Sequence, residues 1–192
     1  MNRSYRLLWA GQAMSTAGFS ASMIAFPLLV LAVTGSPAVS GLVLGVDAAA
    51  QLIAGLPAGA LVDRWNRKIV MLCCEAAQGI AVVSLVIALW LDTATVPHMI
   101  FVAATMGVCR ALFLPAENAA VAQIVTKEQL PTAVAMNSAR GALGQLVGTA
   151  AGGFLYGLGR AVPFAAEVVT HLISFVALLF VRVPYEKREQ LE

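Results

Sequence analysis

Gly59-Ala60-Leu61-Val62-Asp63-Arg64-Trp65-Asn66-Arg67-Lys68 separates two long apolar runs. Three cations in a short turn between membrane-length stretches mark a loop retained on the cytoplasmic side of a bilayer. The surrounding composition agrees. Of 192 residues, 60% are hydrophobic and 11% charged, where an average soluble domain carries about a quarter charged residues. An ordinary soluble protein is thereby excluded, and a polytopic membrane protein is expected.

Outward from the basic loop, six apolar runs reach the length a bilayer demands, at roughly 6–33, 37–61, 68–91, 97–124, 134–158 and 162–182. Short connections rich in Gly and Pro separate them: 34–37, 92–97, 126–131 and 157–163. The first run is too long for a cleavable leader and is read as a retained helix. Residues 1–184 are thus expected to form one all-α, six-helix transmembrane domain. Residues 185–192 read as a cytoplasmic tail or the start of a linker.

Orientation follows from the cations. With the N-terminus inside, Arg3, Arg6, Arg64, Arg67, Lys68, Lys127, Arg182, Lys187 and Arg188 all fall on one side, against Arg160 on the other. This asymmetry predicts cytoplasmic termini in a cell (inner or plasma) membrane. Trp9, Trp65, Trp90, Tyr5, Tyr156 and Tyr185 fall near expected helix ends, where amphipathic rings sit at the interface. Cys73, Cys74 and Cys109 lie in apolar stretches without metal-ligand spacing and read as packing residues.

Ionisable groups inside the spans are costly, about 2.5–3.5 kcal/mol each at the bilayer centre, so each needs a partner or water. Asp47, Gln51, Arg110, Arg140, Glu167 and His171 are the candidates for substrate or proton binding. Asp47 starts a polar and small-residue stripe that continues through Gln51, Gly55 and Gly59. Arg110 lies near the middle of the fourth run, with Glu117 two turns nearer the cytoplasm. Glu167, His171 and Ser174 share a face of the sixth. Two readings stay open for these charges: a cavity that binds substrate or protons, or buried ion pairs that fix helix packing. His171, of a type that titrates near neutrality, suits proton sensing or a simple hydrogen bond. Glu75 and Glu117 read as structural, with Glu117 expected to pair with Arg64 or Arg67. Asn66 is expected to cap the third helix, with Asp63 and Glu117 balancing Arg67 and Lys68 in its first turn.

The loop residues Gly59, Leu61, Asp63, Arg64, Arg67 and Lys68 form the pattern G-x-L-x-D-R-x-x-R-K. It resembles the loop between helices 2 and 3 of major facilitator superfamily transporters, with Asn66 where that signature has Gly. The resemblance implies a gate, a cluster that locks the cytoplasmic ends of helices 2, 3 and 4 in one state. Gly144-Gln-Leu-Val-Gly148-Thr-Ala-Ala-Gly152-Gly153 resembles the G-x-x-x-G-P-x-x-G-G signature of the family's antiporters, with Thr149 in place of Pro. Such a glycine face permits close helix approach. Tyr5-Arg-Leu-Leu-Trp-Ala-Gly-Gln12, Ala60-Leu-Val-Asp-Arg-Trp65 and Val181-Arg-Val-Pro184 are similar to the macrolide-efflux and siderophore-export branch of drug:proton antiporters. Relatives there often have an acid after the Gly at position 18; here it is Phe19.

The resemblance implies one half of a major facilitator fold, itself two three-helix repeats. Phe26-Pro27 and Leu114-Pro115 sit late in the first and fourth runs, as such repeats would place them, although membrane helices tolerate proline anyway. The implied function is export of a small apolar or cationic molecule (a drug, antibiotic or siderophore) by proton antiport. Asp47 is expected to bind the proton or a cationic group of the substrate, with Arg110 tuning it. A proton-coupled importer and a non-transporting interaction module are the alternatives. No enzyme, metal or organic cofactor and no nucleic-acid partner is expected. The proton-motive force supplies the energy. The implied partners are the lipid bilayer, a small-molecule substrate and a second six-helix half, in the same longer chain or as a dimer partner.

Overall fold

The computed structural model describes residues 2–183; the charged stretch 185–192 lies outside them. Among the described residues there are six helices and no strand. They are α1 (Arg3–Thr34), α2 (Pro37–Arg64), α3 (Arg67–Trp90), α4 (Val96–Ile124), α5 (Leu130–Leu158) and α6 (Val162–Phe180).

Local chemistry sets the ends. Asn2, Ser36 and Asn66 cap α1, α2 and α3 by accepting backbone N–H bonds from the first turn. Asn66 Oδ1 accepts from Lys68 at 3.0 Å and Ile69 at 3.4 Å, the cap expected for it. α1 stops at Gly35, whose φ of 66° is left-handed and whose N–H returns to Leu31 O at 2.8 Å. The prolines read as turn punctuation behave differently. Pro37, Pro97, Pro131 and Pro163 each lie in the first turn of a helix, where a missing N–H leaves no bond unmade. For that reason α5 begins at Leu130, earlier than the apolar run suggests.

Among the described residues, five helices (α1, α2, α3, α4 and α6) are long and apolar enough to cross a membrane. The sequence predicts six spans. α5 is long enough at 29 residues, but Asn137, Ser138, Arg140, Gln145 and its glycines dilute its apolar content. α5 joins the bundle through those same glycines. A Cβ on Gly148 would collide with Ala17 O of α1, and one on Gly152 with the Ala21 backbone. Gly144 abuts Thr16 one turn earlier. Gly153, expected on this face, points into open space among the described residues. One residue is a 100° turn of a helix, which carries it off the stripe.

The most extensive pairings are α2 with α4, α1 with α5, α1 with α6, α3 with α4, and α3 with α6. Exchanging helices 1, 2, 3 for 4, 5, 6 maps this set onto itself, the mark of a half built from two three-helix repeats. Pro27 and Pro115 interrupt the exchange-related α1 and α4, while Pro57 interrupts α2.

Two apolar cores stack along the bundle. One gathers Tyr5, Leu8, Met71, Val121 and Leu178 near the basic loop. The other gathers Leu29, Val43, Leu85, Met99 and Phe164 toward the opposite end. Leu52, Ile53, Leu56, Leu146 and Val147 point outward and are exposed, as lipid-facing side chains are.

Candidate functional site

Between the two cores lies a layer of polar and charged side chains. Asp47 of α2 and Arg110 of α4 meet there, with Arg110 Nη2 2.9 Å from Asp47 Oδ1. Gly107 makes this possible. It lies one turn before Arg110, and any Cβ on it would strike Asp47 O and Gln51 N of α2. The two backbones therefore touch where the charges pair. Nothing in the periodicity of the fourth run marks Gly107; its spacing from Arg110 was the available signal. Phe19 of α1 completes the arrangement, its ring centroid 4.2 Å from the Arg110 guanidinium carbon. A cation over an aromatic face gains about 0.5–2 kcal/mol, more when dry. Thus the position where branch relatives often carry an acid here supplies a π face to the same arginine.

The pair is not sealed, with side-chain exposures of 28% for Arg110 and 21% for Asp47. A small apolar pocket of about 50 Å³ includes Asp47, Arg110, Met23, Phe26 and Glu167 in its wall. A wider cavity of about 950 Å³ opens beside it, bounded by Gln12, Thr16, Gln51, Arg110, Asn137 and Gln145 among others. Asp47, Gln51 and Arg110 therefore come together as a group.

Arg140 and Glu117 form a second pair, correcting the expected link from Glu117 to Arg64 or Arg67. Arg140 Nη1 and Nη2 donate to the two Glu117 oxygens at 2.5 Å and 3.0 Å, a bidentate fork. Both side chains are buried. Beside them, Tyr5 Oη lies 3.0 Å from Ala133 O and 3.1 Å from Asn137 Oδ1, its single proton shared between the two acceptors, tying α1 to α5. Height along the helix put Glu117 near the loop; the long Arg140 side chain of α5 reaches it instead.

The basic loop brings Arg67 to the expected Asp63 and departs from expectation at Lys68. Arg67 reaches Asp63 at 3.9 Å, a partly exposed contact of the kind worth about 0–1 kcal/mol. Lys68 Nζ donates to Leu179 O at 2.8 Å and Val181 O at 2.7 Å. Those carbonyls close α6, where the helix dipole is negative. Lys68 takes a helix end in place of a carboxylate, so the loop ties α3 to α6, not helices 2 and 3 to α4. Arg64 is exposed, and Gly59 borders open space among the described residues.

Glu75, read as structural, sits in the most buried cluster. Gln12 Nε2 donates to its Oε1 at 2.9 Å and Ser174 Oγ to the same oxygen at 2.8 Å. His171 Nδ1 lies 2.6 Å from its Oε2, and His171 Nε2 lies 3.6 Å from Glu167 Oε1. The expected face of Glu167, His171 and Ser174 on α6 is real, and α3 supplies the carboxylate it was missing. Among the described residues no group of three His, Cys, Asp or Glu side chains is placed to hold a metal ion.

Residues 8–192 match the family profile described as Major Facilitator Superfamily. The chain is 34% identical to the multidrug resistance protein MdtG of Enterobacter lignolyticus (strain SCF1), an alignment covering 98% of this chain and 46% of that protein. It is 32% identical to MdtG of Salmonella typhi, covering 98% and 48% respectively. The chain spans about half the length of the curated relatives it matches.

Proposed function

The chain belongs to the major facilitator superfamily, a family of membrane transporters, and from that premise we propose that it forms a six-helix half of a proton-driven exporter. The observation that carries this reading is the Asp47–Arg110 pair, half-open between two cavities at mid-depth of α2 and α4. Transporter sites of this architecture lie near the bilayer midplane, between halves that rock about them.

Asp47 takes the proton in this scheme. As a carboxylate it holds Arg110; protonated, it loses most of that attraction. The freed guanidinium keeps Phe19 as a neighbour, so neutralising Asp47 loosens the contact between α2 and α4 without stranding a bare cation. Release of the proton lets Asp47 attract Arg110 or a cationic substrate. Gln51, Arg140, Glu167 and His171 complete the candidate set. The cavity walls mix Phe19, Met23 and Phe113 with Gln12, Ser15 and Thr16, which suits small, mostly apolar or cationic molecules. The relatives' names speak of multidrug resistance.

The cation asymmetry supports cytoplasmic termini in an inner or plasma membrane. A cavity with one wall needs another, so a second six-helix half, in a longer chain or as a dimer partner, belongs to the proposal. Asp47→Asn tests it. Cells bearing this variant are expected to lose protonophore-sensitive efflux of a cationic dye while the protein stays folded and in the membrane. Full efflux in that variant removes Asp47 from the mechanism.

A further inference from the structure

Glu75, His171 and Glu167 form a charged site distinct from the Asp47–Arg110 pair. Their residue exposures are 2%, 2% and 1%. Glu75 is satisfied as an anion: Gln12 and Ser174 both donate to Oε1, and His171 Nδ1 faces Oε2 at 2.6 Å. A carboxylate only accepts, so Nδ1 carries a proton. The other side of the ring is unresolved. His171 Nε2 and Glu167 Oε1 face each other at 3.6 Å, and both are buried without a hydrogen-bond partner. With Nδ1 protonated, a neutral ring turns its Nε2 lone pair toward Glu167. Two acceptors would then oppose each other in a dry interior, where such a mismatch is costly. One proton in that gap converts the ring to an imidazolium donating to both carboxylates.

We propose that Glu75, His171 and Glu167 form a proton-binding site, which holds one exchangeable proton between His171 Nε2 and Glu167 Oε1. The site has two openings. Glu167 borders the small pocket it shares with Asp47 and Arg110. Glu75 and His171 border the wide cavity. A proton that enters as Glu167 Oε–H passes to Nε2 and returns to solvent; only O–H and N–H bonds form and break.

The titratable neighbours are few. α3 presents Glu75 and Cys74, α4 presents Cys109, and α6 itself presents Glu167. α1 contributes Gln12 and Ser15, neither of which titrates. Arg140 of α5 and Arg110 of α4 share the wide cavity, but Glu117 and Asp47 hold them.

This site adds to the exporter proposed above, and its test needs no transport. The chain has two histidines, so ¹⁵N-histidine labelling in lipid bilayers gives two ring systems, assigned by His98→Gln. At about pH 8, where an unperturbed imidazole is neutral, the expected signature of His171 is two protonated ring nitrogens. Alkaline titration should remove the Nε2 proton reversibly. In Glu167→Gln the imidazolium fraction at about pH 8 should fall about tenfold or more, with unchanged His98 signals reporting the fold. Asp47→Asn should leave the signature in place, separating this site from the Asp47 reading. A singly protonated ring in the parent chain overturns the proposal, as does a signature unmoved by pH or by Glu167→Gln.

Discussion

Glu117 and Arg140 make the most fully buried bidentate contact among the described ion pairs, joining α4 to α5. Breaking one partner of such a pair leaves an uncompensated buried charge. Glu117→Ala is therefore expected to cost about 3–5 kcal/mol, and the double change to Glu117→Leu and Arg140→Met much less. Denaturant unfolding in mixed micelles measures both. A single variant as stable as the parent would mean that solvent in the wide cavity already screens the pair. Asp47 and Arg110 differ in kind, since they are partly open and Arg110 leans on Phe19. Which charges lie inside the membrane was legible from residue type and position along each run. Which charge meets which was not. Position along a run fixes depth, whereas partner choice depends on how each helix is rotated about its axis, and no single run encodes its neighbour's rotation. Hence Glu117 was placed with the loop arginines and meets Arg140. Glu75, read as structural, meets His171 of α6.

Among elements, the α1–α5 seam depends on a backbone approach that no side chain can occupy. Gly148 and Gly152 lie against α1 carbonyls, and Gly153 faces open space among the described residues. Gly148→Leu is expected to destabilise the bundle by about 1–3 kcal/mol or split the seam, and Gly153→Leu to be nearly silent. Thermal unfolding in detergent compares them. Equal effects would show that glycine serves α5 through its backbone rather than through packing. The glycine spacing was readable in the sequence because a small-residue repeat in a long run has few other uses. Gly107 escaped notice because it stands alone, although it sets the distance between α2 and α4. Prolines misled in a consistent way: at the start of a helix they resemble turn residues, and only the capping geometry separates the two. The bond from Lys68 to the end of α6 was equally hidden, since its acceptors are backbone carbonyls and every residue has one.

At the scale of the molecule, the fold follows from composition, run length and short connections. The pairing pattern adds the exchange of α1, α2, α3 with α4, α5, α6, which residue identity conceals. Two apolar cores flank the polar layer, and its charges line an open cavity. In the proposed transporter a second half would close that cavity, and the function rests on Asp47-dependent, proton-driven movement outward. Everted membrane vesicles from the source cells measure it most directly, energised by respiration and offered a cationic fluorophore, with parent and chromosomal Asp47→Asn strains compared. Energy-dependent gain of fluorophore is expected inside the parent vesicles, and none beyond background with Asp47→Asn. Loss of preloaded fluorophore on energisation, or equal gain in both strains, would contradict it.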